Sequence, residues 1–390
     1  MQFSSRTKAV MIVLAVLTVA GVAAWAFQLM NGLAVTGMSN VTSWGLYITM
    51  FMFFVGLSAG GLIVASSAHV FNIEPFKKVA IPAVICSIVC ICAAGMFVLI
   101  DLGGIWRVWR IATGPNPTSP LLWDVCVITA YLVVNILDLY FLVKKRERAI
   151  TVLSRVALPI AILVHSVTAW IFGLQVARAW YSAIMAPIFV ASACDSGLAL
   201  LLLALIVLQK TGVFHTGKEL LSSLAGLLAT FVAVDAFFIG CEILTMAYPG
   251  GHETVALSHM VSGPTAPFFW FEIVGGLLIP FLILVFAKNR QRTGLIAIAS
   301  VLIVLGVLCK RIWLLFTSFI TPNVYGAEGI TLGTGAAVQG NAYDMWATLG
   351  SYAPTPIEIL VVLGVISLVG LAFIVLVKKF VAPSSSAAAE

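Results

Sequence analysis

Charge is what this sequence has least of. Only 9% of its 390 residues are Asp, Glu, Lys or Arg, 62% are hydrophobic, and the mean hydropathy is +1.12. A soluble domain carries about 25% charged residues, so a soluble globular chain is excluded. Metal-ligating patterns are scarce too. None of the seven cysteines (Cys86, Cys90, Cys92, Cys126, Cys194, Cys241 and Cys309) stands at the C-x2-C spacing of an iron–sulfur or zinc site. All lie in or at the ends of apolar runs, where cysteine serves as a small buried hydrophobe. A transmembrane haem usually takes two imidazoles at similar depth. Of five histidines only His165 is well inside an apolar run; His69 is near the opposite end of the membrane, and His215, His252 and His259 are in loops. The chain is therefore expected to hold no haem, iron–sulfur cluster or other metal of its own. The alternation over about 10 residues that marks a membrane barrel is missing as well.

What is present is a series of helix-length apolar runs. Ten are read as spans: 10–30, 45–70, 79–100, 121–143, 154–175, 187–209, 220–247, 266–287, 294–315 and 356–377. Each approaches the ~20 residues needed to cross a bilayer. The first follows Arg6 and Lys8 and is read as an uncleaved span. Placing Lys and Arg on alternating sides puts 16 of 21 on the side of both termini, leaving Arg107, Arg110, Arg178, Lys310 and Arg311 on the other. The positive-inside rule then puts both termini in the cytoplasm, as an even number of spans requires. The net charge of +6 thus reflects topology rather than nucleic-acid binding. Outside the membrane, residues 101–120 carry Trp106, Arg107, Trp109 and Arg110, an interfacial anchor first of all. The longest loop, 316–355, is rich in Gly and almost free of charge. A loop of that length is usually functional or covered by a partner. The C-terminal Ser and Ala run reads as low-complexity.

Several of these spans carry polar groups. Span four holds Asp124, Tyr131, Asn135 and Asp138, at offsets of 7, 11 and 14 residues from the first. At about 100° per residue all lie within about 40° of the direction of Asp124, giving one polar stripe through most of the membrane. Ionisable groups there cost about 2.5–3.5 kcal/mol each on insertion scales and usually face a bundle interior or a water path. By direction of travel Asp101, Asp124, Glu242, Glu272, Glu358 and Arg311 lie toward the outer face, His165, Asp195 and Asp235 nearer the middle, and Asp138 and His69 near the cytoplasmic face. Each is either a structural contact between helices or part of a proton path or polar pocket. The acids outnumber the cations, which favours the second reading for the set. The proton-path candidates are Tyr131, Asn135, Asp138, His69, Asp235, Glu242 and Glu272. His165 is either a satisfied core histidine or a hydrogen-bond donor to a ligand such as a quinone carbonyl.

Weak internal matches link the halves. Pro120 to Asp124 resembles Pro267 to Glu272; Phe97 to Asp101 resembles Phe238 to Glu242; Ser58 to Leu62 resembles Asp195 to Leu198. The expected architecture is an all-α integral membrane protein of ten transmembrane helices. Two parallel-repeat four-helix bundles, spans 2–5 (residues 45–175) and spans 6–9 (residues 187–315), are flanked by helices 1 and 10.

Trp44-Gly45-Leu46-Tyr47, Gly56 to Gly61, Ile100-Asp101-Leu102-Gly103 with Trp106-Arg107, Leu122-Trp123-Asp124, His165 to Trp170, and Tyr352 to Glu358 occur in this order along nearly the whole chain. In this they resemble the NrfD/PsrC family, the membrane subunits of polysulfide-reductase-like respiratory complexes, and the ten-helix members above all. The resemblance implies a subunit without haem that binds menaquinone or another quinone near the outer face of the first bundle. It implies docking of an extracytoplasmic four-cluster iron–sulfur subunit, joined to a molybdopterin, hydrogenase or multihaem catalytic subunit. It assigns Asp101, Asp124 and His165 to quinone chemistry, with Trp44, Gly45 and Arg107 beside them. Asp195 has no place in the pattern. The expected role is thus a quinone-reactive subunit of an oxidoreductase in a bacterial or archaeal cytoplasmic membrane, with proton translocation through span four. A secondary transporter or proton channel acting alone is the alternative, and co-purification of an iron–sulfur protein separates the two.

Overall fold

The computed structural model describes residues 4–176, 178–250, 252–321 and 350–381. Ten helices in it are long and apolar enough to cross a membrane. They are α1 (Ser5–Asn31), α2 (Leu46–Val70), α3 (Ala80–Asp101), α4 (Pro120–Val143), α5 (Glu147–Gly173), α6 (Met185–Lys210), α7 (Lys218–Ala247), α8 (Ala266–Leu284), α9 (Thr293–Ile320) and α10 (Pro356–Phe380). The ten expected spans are all present, and no strand occurs among the described residues. The protein is an all-α, multi-pass membrane protein. Of the expected long loop, 322–349 lies outside the described residues, as does the Ser and Ala tail; α9 runs to Ile320, so the segment begins later than residue 316.

The helices run up and down, so the start of α1 and the end of α10 lie at one end of the bundle, here the terminal end. The other, distal end carries the described parts of the connections 32–45, 102–119, 174–184 and 248–265. α2 is the central element. It is apolar all round, and nearly all of it is buried, the pattern of a helix enclosed by others. It packs on α3, α5, α6 and α9. With lipid as apolar as leucine, such packing depends on small residues that let backbones approach. A Cβ added at Gly60 would fall 2.1 Å from the Gly197 carbonyl carbon, and one at Gly197 2.3 Å from the Gly60 amide nitrogen. These two glycines, which fall within the matched segments Ser58 to Leu62 and Asp195 to Leu198, are the crossing point of α2 and α6. α1 and α10 pack on each other at the flank.

α4 reverses the usual amphipathic arrangement. Its buried residues are Asp124, Tyr131, Val134, Asn135 and Asp138, while Leu121, Val133, Ile136, Leu137 and Tyr140 are exposed. A lipid exterior makes this the stable orientation, because the polar stripe finds partners only inside. α8 departs from regular winding: Phe271–Leu278 is a π-helix, ending just before Pro280. Proline lacks the amide that an α-turn would send back to residue 276, and the wider turn absorbs the missing bond.

Candidate functional site

A cavity of about 710 Å³ lies at the distal end between α2, α3, α4 and α5 under the 102–119 segment. Its walls are mainly apolar: Ile48, Phe51, Val98, Ile128 and Phe172 are among them. Trp44, Asp101, Arg110 and Asp124 add the polar edges. Small-molecule sites combine apolar walls with a few placed polar groups in this way, at about 300–1,000 Å³. Trp44 is set by aromatic contacts. Its ring stands edge-on to Phe172 with centroids 5.5 Å apart and lies nearly parallel to Trp180 at 6.1 Å.

The two carboxyls differ in their surroundings. Asp101 ends α3, and its buried Oδ1 has no hydrogen-bond partner. Asp124 is buried on α4, where the Thr168 hydroxyl of α5 lies 2.6 Å from its Oδ1 and 2.9 Å from the Val164 carbonyl. One hydroxyl hydrogen cannot serve two acceptors fully. Both contacts are satisfied when Asp124 is protonated and donates to Thr168, which then donates to Val164.

A polar brace holds the mouth of the cavity. Tyr352 donates to Glu358 Oε1 at 2.7 Å and accepts from the Leu46 amide at 2.8 Å, with its ring against Gly45. Burial first, and then the Glu358 carboxylate it donates to, hold the Tyr352 hydroxyl protonated well above the usual tyrosine range. Glu358 Oε2 accepts from the amides of Gly37 and Thr355, both at 2.8 Å. The start of α10 thus fixes the start of α2, next to Trp44. Tyr47 adds a bond to Gln28 at 2.6 Å, and Gln28 reaches the Ile100 carbonyl at 3.3 Å, tying α1 and α2 to the end of α3.

Below the cavity the stripe continues toward the terminal end. Tyr131 donates to the Ser58 carbonyl at 2.9 Å, and its hydroxyl is 2.8 Å from Ser87 Oγ. Asn135 donates to the Tyr131 carbonyl at 2.8 Å, while its Oδ1 is buried without a partner. Asp138 is buried with Oδ1 unpartnered, and so are the hydroxyls of Ser66 on α2 and Ser154 on α5, similarly close to the terminal end.

The half formed by α6–α9 holds charge instead. Lys310 on α9 donates to both oxygens of Asp235 on α7, at 2.9 and 3.0 Å, and its nitrogen is 3.4 Å from Glu272 on α8. Trp313 donates to the other Glu272 oxygen. Arg311 donates to Ser192 at 2.7 Å and lies over the Phe189 ring at 3.9 Å, with Nε and Nη1 unpartnered. A cavity of about 40 Å³ is lined by Glu242, Lys310 and Trp313 among others. Ser182 donates to Glu242 at 2.8 Å.

A family model described as Polysulphide reductase, NrfD, matches residues 34–323. The chain belongs to the NrfD family. This NrfD chain is 39% identical over 381 residues to the membrane subunit of a putative dimethyl sulfoxide reductase of Halobacterium salinarum, covering 91% of this chain and 87% of that one. It is 30% identical over 377 residues to the Hdr-like menaquinol oxidoreductase integral membrane subunit of Archaeoglobus fulgidus, covering 95% and 92%. Identity to a subunit of the selenate reductase of Mesobacillus selenatarsenatis is 26% over 408 residues, covering 94% and 92%. These relatives are named as subunits of reductases or oxidoreductases, two of them as membrane subunits, and a membrane-anchor role in a respiratory oxidoreductase complex follows for the NrfD chain.

Of the residues singled out from sequence, the NrfD fold brings Trp44, Asp101 and Asp124 to one cavity. Gly45 lies behind Trp44 against Tyr352, and Arg107 is exposed on the distal surface, where Arg110 rather than Arg107 lines the cavity. His165 does not line it either. Its Nδ1 faces the Ala161 carbonyl at 2.5 Å and its Nε2 the Val55 carbonyl at 2.9 Å, pinning α5 to α2. His69 bonds only its own helix, at the Ala65 carbonyl. Asp235 and Glu272 share Lys310, and Glu242 lines the same small cavity as that lysine. Lys310 and Arg311, counted with the outer-side cations and lying within the ninth span, are fully buried partners within α9. Their position, 18 and 19 residues into a helix rather than at its end, was the signal available in the sequence. Among the described residues, no group of three or more His, Cys, Asp or Glu is placed to hold a metal.

Proposed function

We propose that this protein is the quinone-reactive subunit of a respiratory oxidoreductase, exchanging electrons at its distal end with an extracytoplasmic iron–sulfur partner. The observation that carries the reading is the cavity of about 710 Å³, with an unpartnered Asp101 oxygen and the Asp124–Thr168 pair on its wall. A menaquinone, or another quinone, fits this donor set: its ring suits the apolar walls and Trp44, and its carbonyls need proton-bearing groups. Bound there, it supplies two-electron, two-proton redox chemistry. The residues supply the rest. Asp101 Oδ1 and Asp124 Oδ1 hold or accept a proton at the wall. Thr168 fixes the direction of Asp124, Trp44 and Phe172 close the site against water, and Arg110 places positive charge at the rim. His165 acts through α2 as a positioning residue, since both its nitrogens are committed to carbonyls.

Tyr131, Asn135 and Asp138 extend the polar line from Asp124 toward the terminal end, and we assign protons of turnover to that line. Asp235, Glu242 and Glu272 form a second proton-handling group in α6–α9. The distal end faces outward and both termini lie in the cytoplasm of a bacterial or archaeal cell, the membrane being the cytoplasmic one. Of 21 Lys and Arg, 16 flank the terminal end, and with Lys310 and Arg311 inside the bundle only Arg107, Arg110 and Arg178 remain distal. Exposed Trp106 and Trp109 with Arg107 form a distal patch above the cavity for a four-cluster iron–sulfur subunit, beyond which a molybdopterin, hydrogenase or multihaem catalytic subunit sits. The names of the Halobacterium and Mesobacillus relatives support such a complex, and that of the Archaeoglobus relative supports menaquinol as its donor. The chain-repeat reading, with α2–α5 and α6–α9 as parallel bundles, is part of the same proposal, supported by the sequence matches between the two halves.

A photoreactive quinone analogue tests the site. It should label peptides of α2, α3 and α4 at the cavity wall, and excess menaquinol should abolish the labelling. Competed labelling confined to α7 or α8 would move the quinone out of the first half.

A further inference from the structure

The buried charges of α6–α9 do not balance. Asp195 on α6, Asp235 on α7, Glu272 on α8, and Lys310 and Arg311 on α9 are each at most 1% exposed. That makes three acids against two cations. Lys310 is committed to both oxygens of Asp235, with Glu272 as its second partner, and Trp313 donates to Glu272 as well. Arg311 spends Nη2 on Ser192 and its face on Phe189. Neither oxygen of Asp195 meets a donor from another helix; the Ser196 amide of its own helix is the nearest donor, and the carboxyl lies within electrostatic reach of Asp235, Lys310 and Glu272. An ionised carboxylate without donors is the least tolerable state a buried acid can adopt, and a neutral one the most tolerable.

We propose that the proton balancing this cluster resides on Asp195, and that Lys310 and Glu242 form its route to the distal end. Lys310 is the shared element. It touches Asp235 and Glu272 on one side and on the other lines the cavity of about 40 Å³ that Glu242 also lines. A cavity of that size admits one or two water molecules. In the transfer, an N–H bond of Lys310 breaks and an O–H bond forms on the Glu242 carboxylate across the cavity, while the O–H bond of Asp195 breaks and its proton restores the Lys310 ammonium. Lys310 begins and ends as an ammonium and turns from Asp235 toward the newly ionised Asp195. The charge on Glu242 is lost as that on Asp195 appears, so the cluster exchanges one proton without changing its number of cations. The groups facing Asp195 from neighbouring helices are Asp235 on α7, Glu272 on α8, and Lys310 and Arg311 on α9. The assignment extends the proton-handling part of the proposed function and does not depend on where the quinone binds.

Infrared difference spectroscopy of the purified full chain tests it without quinone turnover, so a failure here is separable from a failure of the quinone reading. The wild-type minus Asp195→Asn spectrum at neutral pH is expected to show the carbonyl stretch of one protonated carboxyl. A difference spectrum with only carboxylate bands would overturn the assignment. Transfer to D2O shifts that band, and Glu242→Gln is expected to slow the shift about tenfold or more; an unchanged rate would overturn the route. Asp195→Asn matches the neutral acid in shape and is expected to melt at or above the wild-type temperature. A marked fall would show that Asp195 is an ionised partner instead. Asp235→Asn gives the last arm. It frees Lys310 for Asp195, so the Asp195 band is expected to vanish in this variant too, and its persistence would overturn the shared role of Lys310.

Discussion

The halves α2–α5 and α6–α9 bury similar numbers of acids and treat them differently. Asp101, Asp124 and Asp138 in the first half have no cation within ion-pair distance among the described residues, and a large cavity opens beside two of them. In the second half Asp235 and Glu272 share Lys310, and the space beside them is some 40 Å³. A lone acid in this setting persists by holding a proton or meeting a polar ligand. An acid bonded to lysine is fixed in charge, and separating the pair costs more than forming it gained. Under the proposals above, the first half exchanges protons with something bound, and in the second the ion pairs at Lys310 surround the one proton shared between Asp195 and Glu242.

That contrast can be broken at several points. The largest effect is expected from Lys310→Met, which strands two buried acids. Breaking a buried pair costs about 3–5 kcal/mol, so the variant should melt far below wild type in detergent and accumulate poorly in membranes; a near-normal melting temperature would show that the second half is not held by its ion pair. Next is Asp124→Asn. It should lower quinol turnover by about 100-fold or more while the chain still assembles with its partner subunits, measured by co-purification and quinol oxidation. Turnover within a few-fold of wild type would remove Asp124 from the site. Tyr131→Phe removes the bonds to Ser58 and Ser87 and should cost about 1–2 kcal/mol in stability, with Asp124-dependent turnover reduced less than in Asp124→Asn. The smallest effect is expected at His69→Ala, since that ring bonds only Ala65 of its own helix. A change within about 0.5 kcal/mol is anticipated, and a loss of turnover comparable to that of Asp124→Asn would restore His69 to the proton line.

Ten spans, their order and the inward turn of α4 were legible in the chain because hydrophobic length and helical period act locally. The four-residue stripe from Asp124 to Asp138 needed only the angle between side chains on one helix, and the burial of all four followed from the cost of exposing them to lipid. Long-range partners were not legible. His165 looked equally suited to a ligand or to the core, and what directs it to Val55, 110 residues earlier, is the packing of α5 on α2. The choice between Arg107 and Arg110 at the cavity rested on the path of a connection between helices, where no period applies. The Tyr352–Glu358 brace joins the start of α10 to the start of α2, more than 300 residues apart in sequence.

The sequence by itself determined a ten-helix membrane protein with a polar fourth span, since a bilayer punishes every unsatisfied backbone or polar group in proportion to local composition, and its ordered motifs carried the resemblance to the NrfD family. Only the tertiary structure decided which acids are alone. That Lys310 closes on Asp235 and Glu272, and not on Asp195, depends on how α6, α7, α8 and α9 are turned toward one another, a matter of side-chain packing across helices that no single segment specifies.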